Sequence, residues 1–197
     1  MSNLVGNKIL DVLQYIEYKG DERFHLTLRL HFIVFDTQRA IFDLVRLGHL
    51  IPAFSLQRVL FETNVKADWL YLCASDKEIE QFKNDNVKSK KYPKRTMTFQ
   101  EMVTDIEGMK PHLDGSLSDF KKYHWKGLNS FTHSGVMQLN MVLNNDPEQL
   151  EGLSKTALDF AQRFAISSLM SIGQMTGNIK VLEVSLELSK TRLGLGE

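Results

Sequence analysis

The sequence predicts an all-α protein, an up-and-down helical bundle with additional short helices. Apolar residues recur at three- and four-residue steps over long segments, capping residues and glycines punctuate those segments, and no stretch of useful length alternates as a strand would. The 197 residues are 43% hydrophobic and 24% charged, which is ordinary globular usage. A chain of this length most often forms one domain with its own core, so a single helical-bundle domain over residues 1–197 is expected.

The elements follow in order. Asp21 is placed to cap a long helix that Gly48 ends, with Leu26, Leu30, Ile33, Ala40, Leu44 and Leu47 marking a buried face. A second stripe of Phe24, Leu28, His31, Phe35 and Phe42 leaves this helix apolar around most of its circumference, as a helix at the bundle centre would be. Pro52 suits a first turn, and a second central helix should occupy Ala53 to Ala74. These two helices are expected to be the most buried pair. Ser75 with Glu78 is a capping box opening a short helix through about Lys83, and Asn86 to Arg95 reads as a polar, lysine-rich loop.

Thr98 with Glu101 is a second capping box, starting an amphipathic helix of Phe99, Met102, Val103 and Ile106 that stops near Gly108. Pro111 to Ser116 is a turn. A helix from Leu117, with Phe120, Leu128 and Phe131 on its apolar side, should bend or break at His133-Ser134-Gly135. Asp146-Pro147 starts a new turn or helix. The segments Ser154 to Thr176 and Asn178 to Arg192, separated by Gly177, should form an antiparallel hairpin.

Charge and cysteine content narrow the function classes. Lys plus Arg and Asp plus Glu are 24 each, so no global field draws the molecule to nucleic acid or anionic lipid, and any such contact needs a local patch. The single Cys73 lies in an apolar run and has no partner for an intramolecular disulfide, which suits a reducing cytosol. No basic segment leads into an apolar one at the N-terminus, and no apolar run approaches the ~20 residues of a spanning helix. A cytoplasmic location with no membrane segment is expected. A glycine-rich phosphate loop, paired zinc-binding cysteines and a serine nucleophile elbow are all missing, so no cofactor is anticipated.

The residues that could carry chemistry each have a plain alternative. Arg58 and Glu62 share a helix face and interrupt the otherwise largely apolar stripe Ile51, Ser55, Val65, Trp69 and Leu72. Such a pair can tie helices together, or serve as an anion site in which Arg58 presents its planar fork and Glu62 orients it or moves a proton. His133, beside a helix break and four residues after Asn129, is placed to titrate, although capping or packing accounts for many such histidines. His31, among phenylalanines, reads as a satisfied core residue. Lys88, Lys90, Lys91, Lys94 and Arg95, around Tyr92, form either a solvated connector or a strip able to track an RNA backbone. Glu22-Arg23-Phe24-His25 matches one half of a di-iron motif without a second copy, and no metal centre is expected.

Three stretches carry a family resemblance: Phe54 to Glu62, Trp69 to Asp76 with Phe82, and above all Trp125-Lys126-Gly127-Leu128-Asn129-Ser130-Phe131-Thr132-His133-Ser134-Gly135. From about His31 to Lys180 they resemble a bacterial family of uncharacterised helical proteins. The layout is more distantly similar to AbiV abortive-infection proteins and the HEPN group of helical ribonucleases, many of them dimers in toxin or phage-defence systems. The latter carry Arg and His on one helix; here Arg58 is followed by Glu62, and His133 is distant in sequence.

Two functions follow from this reading. One is an interaction or regulatory module that forms a homodimer or binds a protein partner, which the AbiV resemblance places in phage defence. The other is a metal-independent ribonuclease assembled across helices, with His133 as general base or acid, Arg58 stabilising the phosphorane, and Glu62 and Asn129 orienting them. Whether Arg58, Glu62 and His133 converge on an open surface or are sealed in the core separates the two.

Overall fold

The computed structural model describes residues 3–143 and 146–192. Over these residues the chain forms nine α-helices and a 3₁₀ turn, with no strand beyond an isolated bridge between Lys88 and Thr96. The helices are α1 (Leu4–Leu13), α2 (Glu22–Arg46), α3 (Leu50–Leu72), α4 (Asp76–Lys83), α5 (Phe99–Met109), α6 (Ser116–Thr132), α7 (Val136–Val142), α8 (Pro147–Thr176) and α9 (Ile179–Arg192). No helix among them is long and apolar enough to cross a membrane.

Most boundaries lie where local chemistry places them. The Asp21 carboxylate accepts from Phe24 N at 2.8 Å, and Gly48, at φ 80°, turns the chain out of α2. Ser75 with Glu78 and Thr98 with Glu101 both form complete capping boxes. Gly177, at φ 64°, closes α8 and reverses the chain into α9, which packs back on α8.

Helix α3 is the centre of the bundle, packed on α2, α5, α6 and α8. Val34, Ile41, Phe54, Phe61, Trp69, Val103, Ile106 and Phe164 belong to the larger of two core clusters. Within it Phe61 meets Phe99, Phe120 and Phe164 with ring centroids 5.3, 5.0 and 5.2 Å apart, which fixes α5, α6 and α8 around α3. The second cluster joins Ile9, Val12 and Leu13 of α1 to Leu28, Phe35, Leu169, Ile172 and Val181. Helix α1 itself was not expected from the sequence.

Two further expectations are corrected. Both stripes of α2 pack inward, Phe24, Leu28, His31, Phe35 and Phe42 buried and Leu26, Leu30 and Leu44 partly buried, whereas Ile33 and Leu47 are 46% and 61% exposed. Arg29, Asp36, Arg39, Asp43 and Arg46 are exposed together, so α2 keeps a solvent face, although α2 and α3 carry the most buried residues of the described helices, as expected. Charges at three- and four-residue steps draw that flank to water, and the apolar residues beside them follow. Helix α8 is also one continuous element from Pro147, since Gly152 within it costs only about 1 kcal/mol relative to alanine.

His31 is a satisfied core residue. Asn64 Nδ2 donates to the Ser168 hydroxyl at 2.8 Å, and that hydroxyl lies 3.0 Å from His31 Nδ1, linking α2, α3 and α8. Burial lowers the His31 pKa to about 4, against a raising effect from Asp68.

Candidate functional site

The C-terminal end of α6 is pinned to α3 by Ser55, whose hydroxyl lies 2.8 Å from the Phe131 carbonyl and 3.0 Å from that of Ile51. One turn further along α3 is Arg58, and two residues beyond Phe131 is His133. That anchor brings the two side chains together although they are 75 positions apart.

Arg58 Nε donates to Glu62 Oε1 at 2.8 Å, and Arg58 Nη1 donates to His133 Nε2 at 2.7 Å. Arginine offers only donors, so in this contact His133 Nε2 is the acceptor. The guanidinium carbon lies 5.0 Å from the Trp125 ring centroid, and Trp125 is stacked on Phe99 at 5.1 Å with 12° between planes. Two constraints therefore orient the fork: a carboxylate at Nε and an aromatic wall behind it. Among the described residues Arg58 Nη2 has no hydrogen-bond partner, which leaves a donor free for an anion.

The centre is open. The Arg58 and Glu62 side chains are each 22% exposed and His133 is exposed, so the pair lies at the rim of the bundle. Lys66 Nζ, 4.0 Å from Glu62 Oε2, adds a second cation beside the carboxylate.

Asn129 does not orient His133 through its side chain; its backbone carbonyl accepts the His133 amide at 3.0 Å, as the last bond of α6. The Asn129 side chain instead lines a shallow depression of about 560 Å³ beside Trp125. Lys121, Lys122 and Lys126 border the same depression, and Lys121 Nζ lies 5.0 Å from the Trp125 ring. Positions 121, 122, 125, 126, 129 and 133 share one arc of α6, a cationic and aromatic face leading to the Arg58 centre. The sequence carries that signal in the spacing of its lysines around Trp125.

The basic loop is folded more tightly than a solvated connector. Val87 and Met97 are buried, with Met97 N donating to Val87 O at 2.8 Å. Lys90 pairs with Asp105 at 2.8 Å, and that bond raises its pKa against the opposing effect of burial. Arg95 pairs with Glu101 at 3.2 Å and lies 4.9 Å from the Tyr92 ring, and Lys91 lies 5.4 Å from the same ring. Lys94 is exposed and Lys88 half-buried. Two of the five cations are thus neutralised within the fold.

No group of three or more metal-binding side chains occurs among the described residues, and Glu22 of the half-motif is paired with Lys83 at 2.7 Å. The chain matches, over residues 31–191, a family described as of unknown function (DUF6988). No curated protein and no solved structure matches it.

Proposed function

The chain belongs to the DUF6988 family of unknown function, so its activity has to be read from its own chemistry, and we propose that it is a metal-independent ribonuclease centred on Arg58 and His133. The observation that carries this reading is the 2.7 Å contact between Arg58 Nη1 and His133 Nε2 at an open surface, with Glu62 holding the guanidinium from behind. An arginine fork and a histidine base in contact are what cleavage of a phosphodiester by its own 2′-hydroxyl needs.

In this mechanism the lysine face of α6 and Trp125 receive the RNA backbone and a base, and Arg58 turns its free donors to the scissile phosphate. His133 Nε2 exchanges the Arg58 hydrogen bond for the ribose 2′-hydroxyl and takes its proton. The 2′-oxygen attacks phosphorus, Arg58 stabilises the added negative charge, and the 5′-oxygen departs with the proton that His133 returns. The products are a 2′,3′-cyclic phosphate and a 5′-hydroxyl. Glu62 keeps Arg58 in register and takes no part in proton transfer.

The test is RNA cleavage in EDTA by purified protein, with product ends identified. Arg58→Lys keeps charge but loses the fork and should slow cleavage about 100-fold; His133→Ala should slow it by about 10²–10⁴-fold. Intact RNA under these conditions, or a His133→Ala enzyme as fast as wild type, would rule the reading out.

A second reading has its own support. Val136, Leu139, Val142 and Leu143, at and just beyond α7, are 68%, 59%, 61% and 80% exposed, an apolar face on the element that follows the site. That face suits a homodimer or a protein partner, the regulatory or phage-defence role that the AbiV resemblance implies.

A further inference from the structure

On the opposite side of α6 from Arg58, a cavity of about 230 Å³ lies between α3, α6 and α8, walled by Phe54, Phe120, Leu128, Phe131 and Phe160. Past Phe131, Met137 and Thr156 it opens onto a wider crevice of about 700 Å³. Gln57 also lines it. That side chain is 5% exposed, and its Nε2 has no hydrogen-bond partner. Buried amide groups in folded proteins are paired almost without exception, so an unpaired amide in the wall of a ring-lined cavity marks where the polar edge of a ligand belongs.

The rim has a different chemistry. Arg163 Nη2 lies 3.4 Å from Asp159 Oδ2 and Arg192 Nη1 2.6 Å from Asp159 Oδ1, so two guanidinium groups share one carboxylate. The Arg163 guanidinium carbon is 6.0 Å from the Phe120 ring, and His124 packs on the same ring at 4.3 Å. Arg163 thus stands at the rim over an aromatic wall, with Asp159 shared between it and Arg192.

We propose that this cavity binds a nucleoside monophosphate. The base enters among the phenylalanine rings, the Gln57 amide hydrogen-bonds its polar edge, and the phosphate lies at Arg163. A flat heterocycle with acceptors and an anionic tail matches each part: aromatic walls, one buried amide and a cationic rim. An aliphatic ligand would leave the amide unpaired, and a bare phosphate would leave the rings unfilled. Gln57 and Arg58, adjacent on α3, face opposite sides of α6, so this site stands apart from the ribonuclease reading and does not depend on it.

Isothermal titration of the intact protein with AMP, GMP, CMP and UMP, with adenosine and uridine, and with ribose 5-phosphate tests this. At least one nucleotide should bind at one per chain. Gln57→Leu should weaken it about tenfold or more, through loss of the hydrogen bond to the base. Arg163→Ala should weaken the nucleotide but leave its nucleoside unchanged. Gln57→Leu should also raise the melting temperature of the free protein, because it replaces an unpaired buried amide with an apolar group of similar size. The proposal fails if no nucleotide binds at millimolar concentration, if ribose 5-phosphate binds as tightly as the nucleotides, or if Gln57→Leu binds like wild type or melts lower.

Discussion

At the scale of single residues, the two histidines on which the sequence drew attention have opposite surroundings. His133 is at the surface and accepts a hydrogen bond from Arg58, whereas His31 is sealed between α2, α3 and α8 and bonded to Ser168. Burial holds the His31 pKa at about 4, below the ordinary value of 6.5, so the unfolded chain takes up a proton first as pH falls. The stability this gives is complete above pH 6.5 and is lost progressively as pH drops towards 4. A difference of this size corresponds to roughly 3 kcal/mol. The Glu101 carboxylate, held at about 2 chiefly by a hydrogen bond from Ser89, titrates in a lower window and does not confuse the measurement above pH 5. Urea unfolding from pH 7.5 to 5 should show wild type losing stability while His31→Asn, weaker at neutral pH, has a flatter profile. Parallel profiles would mean that burial does not lower the His31 pKa.

At the scale of elements, the corner between α6 and α7 decides where His133 points. Ser134 takes the left-handed conformation at φ 53°, and Gly135 N donates to Ser130 O at 2.7 Å. The Ser130 hydroxyl in turn accepts Met137 N at 3.0 Å, which caps α7 from within the preceding helix. A Cβ on Gly135 would come within 2.9 Å of the Ser130 Cα and 2.5 Å of its Oγ, so the glycine is required by close approach, its own φ of −79° being unexceptional. Gly135→Ala should push the two helices apart, costing about 1–3 kcal/mol and lowering the melting temperature by about 2–4 °C per kcal/mol. The same variant should break the Arg58 bond to His133, visible by ¹⁵N NMR as loss of the Nδ1–H tautomer preference. A variant that melts like wild type with an unchanged imidazole spectrum would show that the corner has room to spare.

At the scale of the molecule, the apolar face around α7 is the surface on which the interaction reading depends. Leu139 lies on it at 59% exposure, near the middle of the helix, with only its backbone amide bonded to the corner, to Gly135 O at 3.1 Å. If the protein is a homodimer through this face, light scattering at micromolar concentration should give twice the chain mass for wild type and the single-chain mass for Leu139→Glu, with unchanged helicity. A single-chain mass for wild type would remove the homodimer, and an intact dimer in the variant would place its interface elsewhere.

What the sequence by itself determined is local. Helix starts at Asp21, Ser75 and Thr98, stops at Gly48 and Gly177, and the break at Ser134-Gly135 were legible because capping bonds and left-handed turns form within a few residues. The pairing of Arg58 with Glu62 was legible for the same reason, four residues being one helical turn. Tertiary structure alone decided that Ile33 and Leu47 of α2 face solvent, that α1 joins the second core cluster, and that His133 reaches Arg58. It also moved Asn129 from the histidine to the lysine face and left Gln57 unpaired against a ring-lined cavity. Periodicity states which residues can share a face. Which face is buried, and which side chain across the bundle completes its hydrogen bonds, is set by how all the helices fill space together, a property that no window of one segment contains.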